Sequence, residues 1–156
     1  MSLAALATLL LTPPPLDERT EILYAVRVLT EGAAKGDYAA FSAMLEPGGS
    51  TVMADMRPDQ PVIRVLSNTE VLATAKDAKP DPGRQSRFGI PTVLIRESIA
   101  QVWVPFETSV KGKLSHCGID NFSLLKRDGQ WMITNMSYTI EPPADCASLA
   151  MPELEE

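Results

Sequence analysis

The sequence predicts one α+β domain, with helices in its first part and a long antiparallel meander of strands after them. Three observations support this fold class. The chain has 156 residues, the length of one domain that can bury its own core. Apolar residues recur at helical spacing in the first third, whereas β-branched and aromatic residues dominate from about position 91 to position 140.

The first predicted helix follows three prolines at 13–15 and ends at Gly36. Negative charge suits the first turns of a helix, and three acidic residues lie there: Asp17, Glu18 and Glu21. Apolar residues at helical spacing form its buried stripe: Ile22, Leu23, Val26, Leu29 and Ala33. Asp37 can cap a second helix, which the sequence Pro-Gly-Gly at 47–49 ends. The inward face of this second helix consists of Tyr38, Phe41 and Leu45.

Two short strands and a third helix are predicted next. The strands cover 51–56 and 62–66 and are joined by a turn. Ser67 and Glu70 have the spacing of a capping box, which predicts a helix from this point to about Ala78. The segment 79–83, rich in proline, is a loop.

The second half is predicted to be a series of strands joined by tight turns. One β pattern covers 91–110, and a turn at 111–113 leads to a strand at 114–126. Asp128-Gly129 is the strongest hairpin signal in the chain. The last strand covers 131–140. We therefore expect a domain at 16–146, with an apolar segment before it at 1–15 and a loose acidic tail after it at 147–156.

Charge and hydropathy exclude several classes of function. The formal net charge is −6 and the Lys and Arg residues are scattered, so we expect no nucleic-acid partner, because phosphate neutralisation supplies most of that affinity. No apolar run is long enough to span a bilayer. The apolar start of the segment 1–15 is an ordinary helix turn or the remnant of an export signal, or Met1-Ser2-Leu3 is an added leader. We expect a cytoplasmic protein, or a periplasmic or secreted one if the segment is a signal remnant.

The chain has two cysteines and one histidine. Cys117 and Cys146 are either two reduced thiols or a bridge, which would pin the C-terminal tail to a strand and require an oxidising compartment. One His and two distant Cys do not have the spacing of a zinc site. We expect no metal and no cofactor.

Three segments of the second half carry a resemblance to a known superfamily: AQVWVPF at 100–106, SHCGIDNFSL at 115–124 and DGQWMI at 128–133. With the helical first half, they resemble the nuclear transport factor 2-like superfamily, in particular its SnoaL-like members and the uncharacterised branch named after lumazine binding. The resemblance covers residues 16–146. It implies N-terminal helices packed on a strongly curved, mostly antiparallel sheet that forms a cone with an internal pocket, and it implies a homodimer.

The resemblance does not imply one function, because the superfamily contains ketosteroid isomerases, scytalone dehydratase, polyketide cyclases and proteins that only bind partners. The catalytic Tyr and carboxylate of the isomerases have no residue-by-residue match in this chain. Scytalone dehydratase uses more than one His, and this chain has a single one. We therefore do not carry these mechanisms over.

His116 and Asp120 are the candidate acid and base. In a strand without a bulge they lie on one face, about 13 Å apart, a spacing suited to two groups that flank a substrate. A bulge near Gly118 would change this geometry. The alternatives are structural: a His that hydrogen-bonds its neighbours at a strand edge, and an Asp that pairs with a backbone NH or an Arg.

Five residues are candidate ligand contacts: Trp103, Phe106, His116, Asp120 and Tyr138. Trp131 is assigned to the core, and Asp55 is expected to face solvent. Arginines can bind an anionic ligand or lie on the solvated surface: Arg57, Arg64, Arg84, Arg87 and Arg96. Three hypotheses follow: a small-molecule-binding domain with an apolar and aromatic pocket, a cofactor-free lyase or isomerase that uses His116 and Asp120, and a dimeric interaction module.

Overall fold

The computed structural model describes residues 17–149 and 151, so the predicted segment 1–15 and most of the predicted tail lie outside the described residues. The described residues form three α-helices, seven strands and one 3₁₀ helix. The α-helices are α1 (Glu18–Lys35), α2 (Tyr38–Met44) and α3 (Asn68–Ala75). The strands are β1 (Leu45–Asp55), β2 (Val62–Ser67), β3 (Arg84–Phe88), β4 (Thr92–Arg96), β5 (Ile99–Val110), β6 (Lys113–Arg127) and β7 (Gln130–Ile140). The 3₁₀ helix is Pro143–Ser148.

The predicted fold class is confirmed, because the helices pack on one curled and mostly antiparallel sheet. The order of strands is β2-β1-β7-β6-β5-β3, and β4 also pairs with β5. Only β1 and β7 run parallel among the described pairs. The β pattern at 91–110 is two strands rather than one, since Glu97 adopts a φ of 51° and the chain turns between β4 and β5.

The ends of α1 follow the predicted signals. Asp17 caps the helix by accepting a hydrogen bond from the Thr20 amide, and Gly36 ends it with a φ of 65°. Ala33, which was predicted to be buried, is exposed. The buried stripe passes through Gly32 instead, because α2 approaches so closely that a Cβ there would lie 2.7 Å from the Phe41 amide nitrogen.

The helices cover one half of the concave face of the sheet. Alternate residues of each strand face them, as the period of a strand requires. This core contains Val102 and Val104 from β5, Phe122 and Leu124 from β6, and Ile133 from β7. Trp131, predicted to be a core residue, belongs to it. The other half of the same face lies nearer the start of β6 and carries polar residues.

The open question about the two cysteines is answered by a disulfide bond between Cys117 and Cys146, whose Cα atoms are 5.6 Å apart. Cys117 lies on β6 beside His116, and Cys146 lies in the 3₁₀ helix. The backbones of Cys117 and Glu141 also exchange two hydrogen bonds. The segment after β7 is therefore held against β6 as far as the 3₁₀ helix, and is not loose there.

Candidate functional site

The polar half of the concave face receives side chains from five strands. His116 and Asp120 come from β6 and Tyr138 from β7. Thr108, opposite His116, and Phe106, opposite Gly118, come from β5. The neighbouring strands β1 and β3 supply Asp55, Ser86 and Phe88. These side chains share one face because each strand pairs in register with its neighbour.

Asp120 lies at the centre of this surface, between Val104 on β5 and Tyr138 on β7. Burial raises the pKa of its carboxyl group from 3.8 to about 7. Among the described residues, this carboxyl group has no hydrogen-bond or ion-pair partner. At neutral pH a large share of it is therefore protonated, and it can both donate and accept a hydrogen bond.

Tyr138 stands directly across the strand pair from Asp120. Residues in such a position have Cβ atoms about 4.5–5.5 Å apart. Burial and the charge of Asp120 raise the pKa of the Tyr138 phenol, and the nearby Arg84 and Arg64 partly offset this rise. The phenol consequently stays protonated at neutral pH and presents a hydrogen-bond donor beside the carboxyl group.

His116 forms the end of the site nearest the disulfide. It is 7% exposed, and its ring meets the Phe106 ring edge to face at a centroid distance of 6.0 Å. Burial lowers the pKa of the imidazole, and so do the charges of Arg84 and Arg57, against a smaller opposing effect of Asp55. The imidazole is therefore neutral at pH 7. Its Nδ1 lies 3.1 Å from the Ser115 hydroxyl oxygen.

The strand β6 does contain a bulge, but at Ser115 rather than near Gly118. The pairing with β5 shifts between Thr108 opposite His116 and Ser109 opposite Leu114. Because the bulge precedes His116, the alternation from His116 to Asp120 is preserved, and both side chains face the site. Gly118 between them has no room for a side chain, since the Thr139 carbonyl oxygen occupies the place of a Cβ atom.

Four of the five candidate ligand contacts lie together on this face, and Trp103 does not. Phe106, His116, Asp120 and Tyr138 share the concave surface. Trp103 pairs with Asn121 and Thr92 on the convex side and is 52% exposed. It alternates with the core residues Val102 and Val104, so its side chain points away from the helices.

Charged residues surround the site. Asp55 does not face solvent as predicted: its side chain is 17% exposed and accepts two hydrogen bonds from the Arg57 guanidinium. This pairing lowers the pKa of the Asp55 carboxyl group to about 2. Arg87 pairs with Glu107 at 2.8 Å on the opposite, convex face, because these two residues alternate with residues of the site. Arg64 and Arg84 have no ion pair among the described residues.

The chemistry of this side-chain set is that of organic ligands rather than metals. Within residues 17–149 and 151, no group of three or more His, Cys, Asp or Glu side chains could hold a metal ion. No helix in the same described part is long and apolar enough to cross a membrane. What the site offers is a donor pair, a neutral imidazole and the aromatic rings of Phe88 and Phe106, whose centroids are 6.5 Å apart.

Sequence reasoning did not single out Phe88 or Thr108 as site residues. Phe88 ends a polar strand with no apolar alternation, so no local pattern marked it. Thr108 is fully buried and hydrogen-bonds Ser86 at 2.8 Å, which ties β3 to β5 inside the site. Counting alternate residues forward from the core position Val104 would have placed Thr108 on this face.

Comparison with known proteins supports the fold and nothing finer. Neither a family model nor a curated protein matches this chain. A solved NTF2-like protein of unknown function from Shewanella baltica is similar, with 16% identity, a TM-score of 0.60, and coverage of 80% of this chain and 94% of that one. The association domain of C. elegans CaMKII has 14% identity and a TM-score of 0.60, covering 78% of this chain and 94% of that one.

A third similar structure is a ketosteroid isomerase-like protein from Erwinia carotovora atroseptica. It has 16% identity and a TM-score of 0.56, and the match covers 82% of this chain and all of that one. At these identities the likeness concerns the fold alone. The chain therefore has the nuclear transport factor 2-like fold, as its second-half segments predicted.

Proposed function

We propose that this protein binds a small organic molecule on the polar half of its concave face. The observation that carries the proposal is Asp120, a partly buried carboxyl group on the concave face that has no partner among the described residues and a pKa of about 7. A hydrogen bond contributes about 0.5–1.5 kcal/mol, so a ligand that supplies one to this carboxyl group gains affinity.

The expected ligand has an acceptor oxygen on an aromatic or polycyclic body. Protonated Asp120 and the Tyr138 hydroxyl can both donate to one carbonyl, enol or phenol oxygen. The rings of Phe88, Phe106 and His116 supply an apolar wall against which the body can pack. A few polar groups within an aromatic lining are typical of ligand sites.

The test is a thermal-shift screen with aromatic, polyketide-like and pterin compounds. A ligand at about a hundred times its Kd stabilises the fold by about 2.7 kcal/mol, which raises the Tm by roughly 5–10 °C. Tyr138→Phe and Asp120→Ala, which each remove a donor, should each weaken a hit about tenfold, whereas Trp103→Ala on the convex face should leave its affinity unchanged. If no compound of a broad panel moves the Tm, the binding proposal is wrong.

A second candidate function is acid/base catalysis by Asp120 and His116, in a lyase or isomerase without a cofactor. It is supported by the pKa of Asp120, since a group that titrates near the working pH transfers protons well in both directions. One structural neighbour is a ketosteroid isomerase-like protein, which is compatible with this chemistry. His116→Ala should abolish turnover of a compound from the screen and keep its Kd within about tenfold. Unchanged turnover would eliminate this candidate.

We also propose that the convex face mediates a homodimer. Large apolar side chains lie exposed on it: Ile63, Val65, Leu94, Ile99 and Trp103. The most exposed of them is Val65 at 68%, on the edge strand β2. Apolar patches of this kind mark association surfaces, and one structural neighbour is an association domain. Val65→Lys should convert a dimer to a monomer in sedimentation experiments, and a monomeric wild-type protein would contradict the proposal.

The disulfide favours an oxidising compartment over the cytoplasm that the sequence led us to expect, because disulfides persist mainly in exported proteins. Alkylation of the protein in its native cells, before denaturation, tests this directly. Two protected cysteines are expected in an exported protein. Two freely alkylated thiols would place the protein in a reducing compartment.

A further inference from the structure

A side chain joins β6 to β7 just before the pair of Asp120 and Tyr138. The register of the two strands begins with Asp120 opposite Tyr138 and continues from there towards the hairpin turn. One residue before Asp120, the backbone N–H of Ile119 donates a hydrogen bond to the Thr139 hydroxyl oxygen at 3.0 Å. Because Ile119 directly precedes Asp120, this hydrogen bond restrains the backbone from which the Asp120 side chain projects.

The Thr139 hydroxyl is itself held in place by Glu141. It donates its proton to Oε1 of Glu141 at 2.8 Å and accepts from Ile119 with a lone pair, so both roles of the hydroxyl are used. The backbone of Glu141 is fixed in turn by the two hydrogen bonds that it exchanges with Cys117, one partner of the disulfide. We call the hydrogen-bonded chain of Glu141, Thr139 and Ile119 the hydroxyl bridge.

The close approach of the two backbones at Gly118 lies directly beside this hydroxyl bridge. The Thr139 carbonyl oxygen occupies the place of a Gly118 Cβ atom, and the Thr139 hydroxyl oxygen lies 2.8 Å from the same place. Any side chain at position 118 would therefore push β6 and β7 apart. The absent side chain of Gly118 and the hydroxyl of Thr139 act on the same short stretch of β6, the two residues that precede Asp120.

We infer that Thr139 is a positioning residue of the binding site, which through Ile119 holds the Asp120 carboxyl group opposite the Tyr138 hydroxyl. This inference rests on the proposed function and adds the residues that set its geometry. Thr139 and Ile119 alternate with Tyr138 and Asp120, so their side chains point away from a ligand on the concave face. Two donors can meet one ligand oxygen only if each lies within about 0.5 Å of its productive position.

The first measurement is the pKa of the Asp120 carboxyl group in the absence of ligand, followed by the carbon chemical shift of that group. Thr139→Val removes the hydroxyl and keeps the shape of the side chain, whereas Thr139→Ser keeps the hydroxyl. We expect Thr139→Val to lower the pKa from about 7 by at least about one unit, because burial raises it and a displaced carboxyl group gains water. Thr139→Ser should keep the wild-type pKa.

The second measurement is the Kd of 1-naphthol, a probe with a phenol oxygen on a bicyclic body, determined by calorimetry. Thr139→Val should raise this Kd about tenfold, and Thr139→Ser should leave it within about threefold. Thr134→Val is the matched control, because the Thr134 hydroxyl also joins β7 to the backbone of β6, at the Ser123 carbonyl oxygen 3.1 Å away, but beside the core residue Ile133. The control should change neither the pKa nor the Kd.

The outcomes separate this inference from the proposed function. An unchanged pKa of Asp120 in Thr139→Val overturns the inference even if 1-naphthol binds. Equal losses of affinity in Thr139→Val and Thr134→Val also overturn it, because the effect would then concern strand pairing in general. If 1-naphthol shifts no amide from His116 to Asp120 in the wild-type protein, the proposed function fails, and the inference fails with it whatever the pKa shows.

Discussion

The two halves of the concave face belong to the same strands and have opposite chemistry. In the half under the helices, β6 contributes Phe122 and Leu124, which belong to the hydrophobic core. In the other half, the same face of the same strand contributes His116 and Asp120. The change occurs within two residues, between Asp120 and Phe122.

This difference indicates that one half of the concave face stabilises the fold and that the other half is available to bind a ligand. The half under the helices is stabilised by hydrophobic packing. A ligand could not bind to that half without displacing a helix. The other half relies on a disulfide beside His116 and on polar contacts such as that of Ser86 with Thr108. The partly buried Asp120 carboxyl group lies there without a partner among the described residues.

The largest effect that should separate the halves comes from truncating a core ring. We expect Phe122→Ala to lower the free energy of unfolding by about 3–5 kcal/mol, because it leaves a cavity under the helices. Tyr138→Phe, in the other half, removes only a hydroxyl group and should alter the free energy of unfolding by about 0.5 kcal/mol or less, because the Tyr138 hydroxyl has no hydrogen-bond partner among the described residues. Urea unfolding measures both, and equal losses would show that the halves do not differ as described.

The next effect concerns the disulfide that braces the polar half. Its cysteines are 29 residues apart, and closing such a loop stabilises a fold by about 3–4 kcal/mol through the unfolded chain. Replacing Cys117 and Cys146 together by Ala should lower the urea midpoint accordingly. The double variant should not respond to a reducing agent, whereas the wild type should. Hydrogen exchange should rise more at residues 116–119 than at Phe122 and Leu124, and a uniform rise would contradict this division.

The smallest effect is that of Asp120→Asn. Unlike the substitutions above, it should stabilise the fold. The pKa of this carboxyl group is 3.8 in an unfolded chain and about 7 in the fold, so ionisation above pH 4 favours unfolding increasingly until about pH 7. The full shift corresponds to roughly 4 kcal/mol, and we expect about 2–3 kcal/mol because the carboxylate can turn towards water. Asn should therefore raise the Tm at pH 8 and leave it unchanged at pH 3.5. A variant that is destabilised at pH 8 would refute the raised pKa.

The sequence predicted those features that depend on neighbouring residues. Ser67 and Glu70 form the capping box that their spacing indicated, and Asp128 and Gly129 both adopt positive φ in the last hairpin turn. Asp17 caps α1 as its position suggested. Each of these signals acts within one turn of helix or one hairpin, so a linear pattern is enough to reveal it.

Features that depend on distant pairing were not predicted. The residues of β3, Arg84–Phe88, have little strand propensity, and they are extended because they pair with β5. The strand β1 begins at Leu45, inside the segment where Pro47 and two glycines indicated only the end of a helix. Leu45 pairs with Ile133, and no local pattern contains that information.

The candidate site shows the same division between local features, which were predicted, and features that depend on distant pairing, which were not. The period of a strand placed His116 and Asp120 on one face, because no bulge lies between them. The same period would have placed Trp103 on the opposite face had it been counted from Val102. Arg64 and Arg84 lie on the same face as the site because of long-range strand pairing, and so the sequence could name them only among five candidate arginines.

The parallel pairing of β1 with β7 has a consequence for the order in which the protein is made. Ser50 donates its backbone N–H to the side chain of Asn135, a contact that spans 85 residues. During synthesis, β1 and β2 leave the ribosome before β7, the other strand that pairs with β1, has been made. Until then the two strands can pair only with each other, and their apolar side chains stay exposed. Long-range closure of this kind is slow. The face that carries Asp55 from β1 and Tyr138 from β7 therefore forms only after β7 has been synthesised.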